Sequence, residues 1–340
     1  MSISDRSAIW GRRKFLGQLT LAGTAGLLGG QPGRAFAAEA PPETKRLRIA
    51  RFPYDVACLA PLWMMEDLLR AEGFTDVQYV LSTNPPGVDV AEGRFDFGMN
   101  DVIGHLLQLD AGRPLVALGG IHAGCFELFG TDRIRSIRDL KGKTVAVADP
   151  GRQAFVAAMA AYVGLDPRRD INFLTISGAD GIRRLAEGKV DAFLGFPPEP
   201  QELRVKKIGH SLVNTTLDRP WSQYFCCLAV SNREFVRKNP VATKRALRAL
   251  LKAAEICGGE PERAARVIVE RNYVKNAEYV AQTLKEIPYS RWRDYDSADT
   301  LRFYALRLNE SGGIKTSPNK LLAEGADWRF VNELKKELKT

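Results

Sequence analysis

Two stretches of this chain read almost alike: "AEGRFDFGM" at residues 91–99 and "AEGKVDAFLG" at residues 186–195, 95 positions apart. Each reads as a helix end closed by glycine, a basic residue, then an aspartate entering a short apolar strand. A second pair stands at nearly the same separation. "LRIARFPYD", from Leu47, is a strand running into a proline loop, with helical spacing beyond it at Leu62, Met65 and Leu69. "TVAVADPGR", from Thr144, is again a strand and a Pro-Gly loop, leading into the helical "QAFVAAMAAYVG". One strand-helix plan occurs twice, so the chain is expected to form two similar units.

Further strands are expected at residues 77–81, 115–121 and 171–176. These continuous apolar runs alternate with helices, the pattern of a parallel sheet covered on both faces. From about Asn232 the chain is mainly helical, as Leu247, Leu250, Leu251 and Ala254 show. This tail has no sheet of its own and should pack on the first unit. The chain would then cross between units twice, near residues 122–126 and 224–230. Two lobes on such a hinge leave a cleft lined by loops at the carboxyl ends of strands.

The first 37 residues read as an export signal rather than as fold. Gly11, Arg12, Arg13, Lys14, Phe15 and Leu16 resemble a twin-arginine motif, a weakly apolar stretch follows, and Ala35, Phe36 and Ala37 fit a signal peptidase site. That stretch is too short for a bilayer span of ~20 apolar residues. The whole chain is +9; without residues 1–37 it carries 44 basic and 39 acidic residues, net +5. A mild, interspersed excess is not a nucleic-acid signature, and no nucleic-acid partner is expected.

The order of motifs resembles the periplasmic solute-binding proteins of ABC importers, in the group serving nitrate, sulfonates, taurine and thiamine-pyrimidine precursors. The carriers are "DLKGKTVAV" from Asp139, "RRLAEGKVDAF" from Arg183 and "SNREFVRKNP" from Ser231, in that order across residues 46–256. The resemblance implies an α/β, two-lobed periplasmic-binding-protein fold of type II with a hinge of two crossover strands and a helical C-terminal extension. It implies lobe I from residues 38–123 and 228–340, and lobe II from residues 124–227. It also implies a periplasmic, monomeric receptor that takes a small-molecule ligand and hands it to an ABC permease and its ATPase, without catalysis and without a cofactor. The group's Trp-Asp-Pro run is replaced here by Phe196, Pro197, Pro198 and Glu199.

Strand-end loops nominate the ligand-binding residues Tyr54, Asn100 and Asp101 from the first lobe, and Gly151, Arg152, Gln153, Phe196 and Glu199 from the second. A helix starting near Gly151 turns free N–H groups toward the cleft, and Arg152 could add a bidentate contact to an anion. Tyr224 adds an aromatic face. Asp101 and Glu199 suit a ligand with N–H donors instead, which leaves sulfonate-like, carboxylate-like and pyrimidine-like molecules all open. "HAGCFELFG", residues 122–130, reads as a hinge strand with His122 and Cys125 at the cleft floor. Three histidines and five cysteines show no zinc-site spacing, so no metal is expected. Fungal thiamine-pyrimidine synthases share this fold and carry a cysteine-rich run where this chain has "YFCCLAVSN", with only two cysteines. An enzyme of that kind, or a sensor for a membrane signalling partner, is the alternative.

Overall fold

The repeated plan becomes two five-stranded sheets with the same internal order. The computed structural model describes residues 39–52, 55–84 and 87–338; the expected export signal lies outside them. In chain order the strands are β1 (Arg46–Arg51), β2 (Asp76–Leu81), β3 (Phe97–Asp101), β4 (Leu115–Ala123), β5 (Glu127–Gly130), β6 (Lys143–Val147), β7 (Ile171–Thr175), β8 (Ala192–Gly195), β9 (His210–Asn214) and β10 (Phe225–Asn232). The first sheet runs β2-β1-β3-β10-β4 and the second β7-β6-β8-β5-β9. In each, the first three strands are parallel and the fourth is antiparallel to both neighbours.

The fourth strands come from across the molecule. β5 follows directly on β4 yet belongs to the second sheet, and β10 follows β9 yet returns to the first. This is the two-lobed α/β architecture with two crossover segments that the internal repeat implies. The first crossing, residues 124–126, falls where the sequence placed it. The second lies earlier than expected: β9 ends at Asn214, and Phe225 and Cys227 are already registered on β4. The run "FCCLAVS" is wholly buried because it is an interior strand of the first sheet rather than a hinge.

The helical tail packs where its apolar stripe requires. The helix Pro240–Gly259 buries Ala246, Leu247, Leu250, Leu251 and Ala254, and it contacts β4, β10 and the helices Ala60–Met64 and Glu66–Ala71. The tail also reaches the second sheet's side, with the helix Ser297–Glu310 against the helix Pro150–Tyr162. Near its end the chain adds a short bridge to the edge of the first sheet: Ala117 N–H donates to the Gly325 carbonyl and Asp327 N–H to the Ala117 carbonyl, each at 2.9 Å.

His105, fully buried on the helix Val102–Asp110, holds the same loop through Nε2 to the Gly325 carbonyl at 2.9 Å. Burial drives its pKa down to about 4 from 6.5, partly offset by that hydrogen bond. The neutral form is the folded form, so this contribution is complete above pH 6.5 and is lost as pH falls toward 4. About 2 kcal/mol should be gone by pH 5. Urea midpoints at pH 7 and pH 5 should therefore fall further for the wild type than for His105→Gln, which has no charge to gain.

Candidate functional site

Two helices begin at strand ends and face one another across the lobes. Asp101 ends β3 and caps the helix Val102–Asp110, accepting from Gly104 N–H at 2.6 Å. Asp149 follows β6 and caps the helix Pro150–Tyr162, accepting from Arg152 N–H at 2.9 Å. Both are N-caps by ordinary local logic: a short acceptor side chain in extended backbone satisfies an otherwise orphaned N–H. Desolvation pushes the Asp101 carboxyl up to about 7; the Gly104 N–H works against this, and Cys227 and Asp149 add to it.

Arg152 is committed to the protein's own acids. Its guanidinium donates to Glu199 Oε2 at 2.8 Å and its Nε lies 3.3 Å from Asp149 Oδ2, with the side chain only 14% exposed. Glu199 Oε2 also accepts from Phe196 N–H at 2.8 Å. Desolvation raises the Glu199 pKa, and Arg152 opposes that shift. The neighbouring Gly178 is small for a reason: a Cβ there would stand 1.8 Å from Glu199 Oε1. Phe196 lies under the Arg152 guanidinium at 4.9 Å and against Phe126 at 4.6 Å, and Phe126 packs on Phe155 at 3.9 Å. Gly151 and Gln153 occupy the same first helical turn and are partly buried. Three carboxyl groups surround one guanidinium, with burial favouring the neutral forms of Asp101 and Glu199, so Arg152 has no positive charge to spare.

Asn100 stands beside it at the carboxyl end of β3, 1% exposed, with neither amide atom hydrogen-bonded. A buried amide without partners costs roughly 1–3 kcal/mol. Its Nδ2 would lie 2.3 Å from a Cβ at Gly87, so the glycine makes room for it.

The remaining predicted residues sit at the first crossing. Gly124 has φ +61°, and Cys125 follows at φ +145°, an unusual value for a side-chain-bearing residue. Cys125 N–H donates to Thr215 Oγ1 at 3.1 Å, and that hydroxyl donates to the Phe126 carbonyl at 2.7 Å, which ties the two crossings together. His122, fully buried, places Nδ1 3.0 Å from the Gly124 carbonyl and its ring edge-on to Tyr289 at 5.0 Å. Cys58, from the 3-10 turn Ala57–Leu59, and Cys227, from β10, complete a group with His122 and Cys125 whose ligand atoms lie within 4.8 Å of one another. Cys226 Sγ is 3.0 Å from Cys125 Sγ. Burial pushes the Cys58, Cys125 and Cys226 thiols up, while thiol hydrogen bonds, that of Cys125 foremost, pull Cys227 down.

The structure thus gathers Asp101, Arg152, Phe196 and Glu199 with the missed Asp149, and His122 and Cys125 with the missed Cys58, Cys226 and Cys227. Tyr54 lies outside the described residues. Tyr224 stacks in parallel on Phe303 at 3.9 Å. Asp149 was legible as the residue before a Pro-Gly helix start. Cys58 was not, since a position 64 residues from His122 has no local signal. No zinc-type spacing exists in the sequence, yet the fold assembles donors from four segments.

A family model described as NMT1/THI5 like matches residues 74–264. The chain is 23% identical over 212 residues to the 4-amino-5-hydroxymethyl-2-methylpyrimidine phosphate synthase THI13 of Saccharomyces cerevisiae, covering 57% of this chain and 62% of that protein. It is 28% identical over 126 residues to the bicarbonate-binding protein CmpA of Synechococcus elongatus, covering 36% and 27%. Each match therefore spans less than two thirds of the relative's length. In fold it is similar to the periplasmic nitrate-binding protein NrtA from Synechocystis PCC 6803, with a TM-score of 0.70 at 15% identity over 88% of this chain and 90% of that one. The alkanesulfonate-binding protein SsuA from Xanthomonas axonopodis pv. citri, bound to MOPS, superposes with a TM-score of 0.64 at 20% identity over 82% and 96%. Among the described residues no helix is long and apolar enough to cross a membrane.

Proposed function

The chain belongs to the NMT1/THI5 like family, and from that premise we propose that it is a periplasmic, monomeric solute receptor which closes on one small molecule and delivers it to an ABC permease driven by an ATPase. The lobes would divide near residue 124 and within residues 215–224. Ligand contacts made by both lobes exist only in the closed form, so binding shifts the population toward closure.

The observation that carries the reading is the facing of Asp101 and Asp149 from opposite lobes, with Arg152 already neutralised by Glu199. An acid pair of this kind favours a nitrogen-rich, neutral or cationic molecule over a sulfonate or nitrate. Among the ligand chemistries the sequence leaves open, a pyrimidine carrying amino groups fits best. Asn100 offers one donor and one acceptor on the same amide, matching the paired ring nitrogen and exocyclic amine of such a ring.

The test is a thermal-shift screen of the purified chain against aminopyrimidines, alkanesulfonates, nitrate and small carboxylates. A ligand at 100 times its Kd should add about 2.7 kcal/mol. Aminopyrimidines should raise the midpoint, and the bound molecule should be recovered unchanged by mass spectrometry. Asn100→Ala should weaken binding roughly tenfold or more. Arg152→Ala should leave aminopyrimidine affinity intact; if it abolished binding of a sulfonate, the ligand would be an anion. A second reading, a synthase like the yeast relative, draws on the 23% identity to that protein over 212 residues. Recovery of a converted product would establish it.

A further inference from the structure

We propose that Cys58, His122, Cys125 and Cys227 form a closed tetrahedral site for a thiophilic d10 cation, zinc(II) or copper(I), which pins the junction of the two lobes. This inference concerns the hinge and does not depend on which solute is carried. The four donor atoms lie within 4.8 Å of one another and all four residues are buried. A tetrahedral zinc with Zn–S of about 2.3 Å and Zn–N of about 2.0–2.1 Å places its donors roughly 3.5–3.8 Å apart, so closing on a cation needs movements on the order of an ångström.

The imidazole supplies an independent sign. His122 Nδ1 faces the Gly124 carbonyl at 3.0 Å, which fixes the tautomer with the proton on Nδ1 and leaves Nε2 as a bare lone pair. That Nε2 is fully buried and has no hydrogen-bond partner. A ligating histidine is held in this way, with its distal N–H on a backbone carbonyl and the other nitrogen toward the metal. Three sulfurs and one nitrogen, with no carboxylate among the four, select a soft or borderline cation over magnesium or calcium. Four protein donors leave no open position, which assigns a structural rather than a catalytic role.

The backbone agrees. Cys125 is held at φ +145°, a conformation costing about 1–3 kcal/mol that persists where surrounding bonds over-determine it. Ligation of its Sγ would be such a bond. His122 lies on β4, Cys125 in the first crossing, Cys227 on β10 and Cys58 in a turn of the first lobe. One cation would therefore clamp the strand that leaves the first sheet to the strand that returns. Each ligating thiol that is still protonated gives up its proton on binding, and the zinc thiolate unit carries net charge −1, or −2 for copper(I).

A competing chemistry lies beside the site. Cys226 Sγ lies 3.0 Å from Cys125 Sγ, and loss of two hydrogens from that pair to an external oxidant would give a disulfide and remove one ligand. The experiment therefore uses the full chain purified with reductant, followed by metal analysis and anaerobic titration with zinc(II), copper(I) and cobalt(II). The expected result is one equivalent bound per chain. Cobalt(II) should give the intense visible bands of a tetrahedral ion and thiolate-to-metal charge transfer, a readout that needs no variant. Cys58→Ala, His122→Ala and Cys227→Ala should each weaken binding at least about a hundredfold, while Cys226→Ala and Cys257→Ala, which remove no ligand, retain it. The copurified metal decides between zinc and copper. The proposal is overturned if no stoichiometric cation binds, if Cys58→Ala and Cys227→Ala bind as the wild type does, or if thiol counting finds Cys125 and Cys226 already oxidised. Iron as the only tightly held metal would overturn the closed d10 site and favour the synthase reading, leaving the ligand screen to judge the receptor reading separately.

Discussion

Replacing Gly124 by alanine should cost at least about 3 kcal/mol of folding stability, among the largest effects of any single methyl group in this chain. Two terms add. Left-handed backbone costs a side-chain-bearing residue roughly 1–2 kcal/mol, and φ here is +61°. The new Cβ would also stand 2.4 Å from Thr216 Cα and 2.5 Å from Thr216 N, which are backbone atoms of the other crossing. Backbone cannot swing aside as a side chain can, so the two crossings would have to separate. Gly142 is the control: its φ is +73°, and a Cβ there meets nothing within 4 Å. Gly142→Ala should show the conformational cost alone. The difference between the two urea midpoints, converted with a common m-value, measures how tightly the crossings are packed. Equal losses would mean that the crossings can part freely.

Arg204→Ala should be comparably damaging, but only at neutral pH. Glu127 lies on β5 at 3% exposure, paired with Arg204. Arg204 also reaches Glu286 of the tail at 2.6 Å, and Gln201 donates to the same carboxylate at 2.9 Å. Removing the guanidinium leaves Glu127 ionised and buried, a loss on the order of 3–5 kcal/mol. Desolvation already raises the Glu127 pKa even with Ser211 and Arg204 opposing it, and without Arg204 it must rise further. Protonation then removes the stranded charge, so the deficit relative to wild type should shrink as pH falls from 7 to 5. Glu127→Gln on the Arg204→Ala background should recover much of the loss. A deficit independent of pH would show that packing, not charge, is what Arg204 contributes.

The fold was legible because it is written in local periods. The two "AEG" helix ends and the strands after them lie where the repeat put them, as β3 and β8, and the Pro-Gly loop after β6 does begin a helix. The second crossing was misplaced because "FCCLAVSN" has the apolar run of any buried strand, and nothing local says which sheet owns it. The site was half legible. Asp101, Arg152 and Glu199 stand at strand ends, where loops are expected to line a cleft. Whether Arg152 greets a ligand or a neighbouring carboxylate depends on the distance to Glu199, 47 positions away, which no spacing rule encodes. Cys58 and Cys227 belong to the same limit. Only His122 and Cys125 are close enough in sequence to be noticed together.

The exchange of fourth strands also bears on how the chain is made. β10 lies between β3 and β4, so a ribosome that has released only the first two hundred residues has produced two unjoined pieces of one sheet. The β3 and β4 edges, the latter on a strand whose nine residues all end up buried, stay unpaired until residue 232 emerges. Long-range closure of this kind is slow and leaves sticky edges waiting. Nascent chains stalled or cut short before Phe225 should therefore aggregate, whereas completed ones can insert β10 and close the first sheet in a single late step.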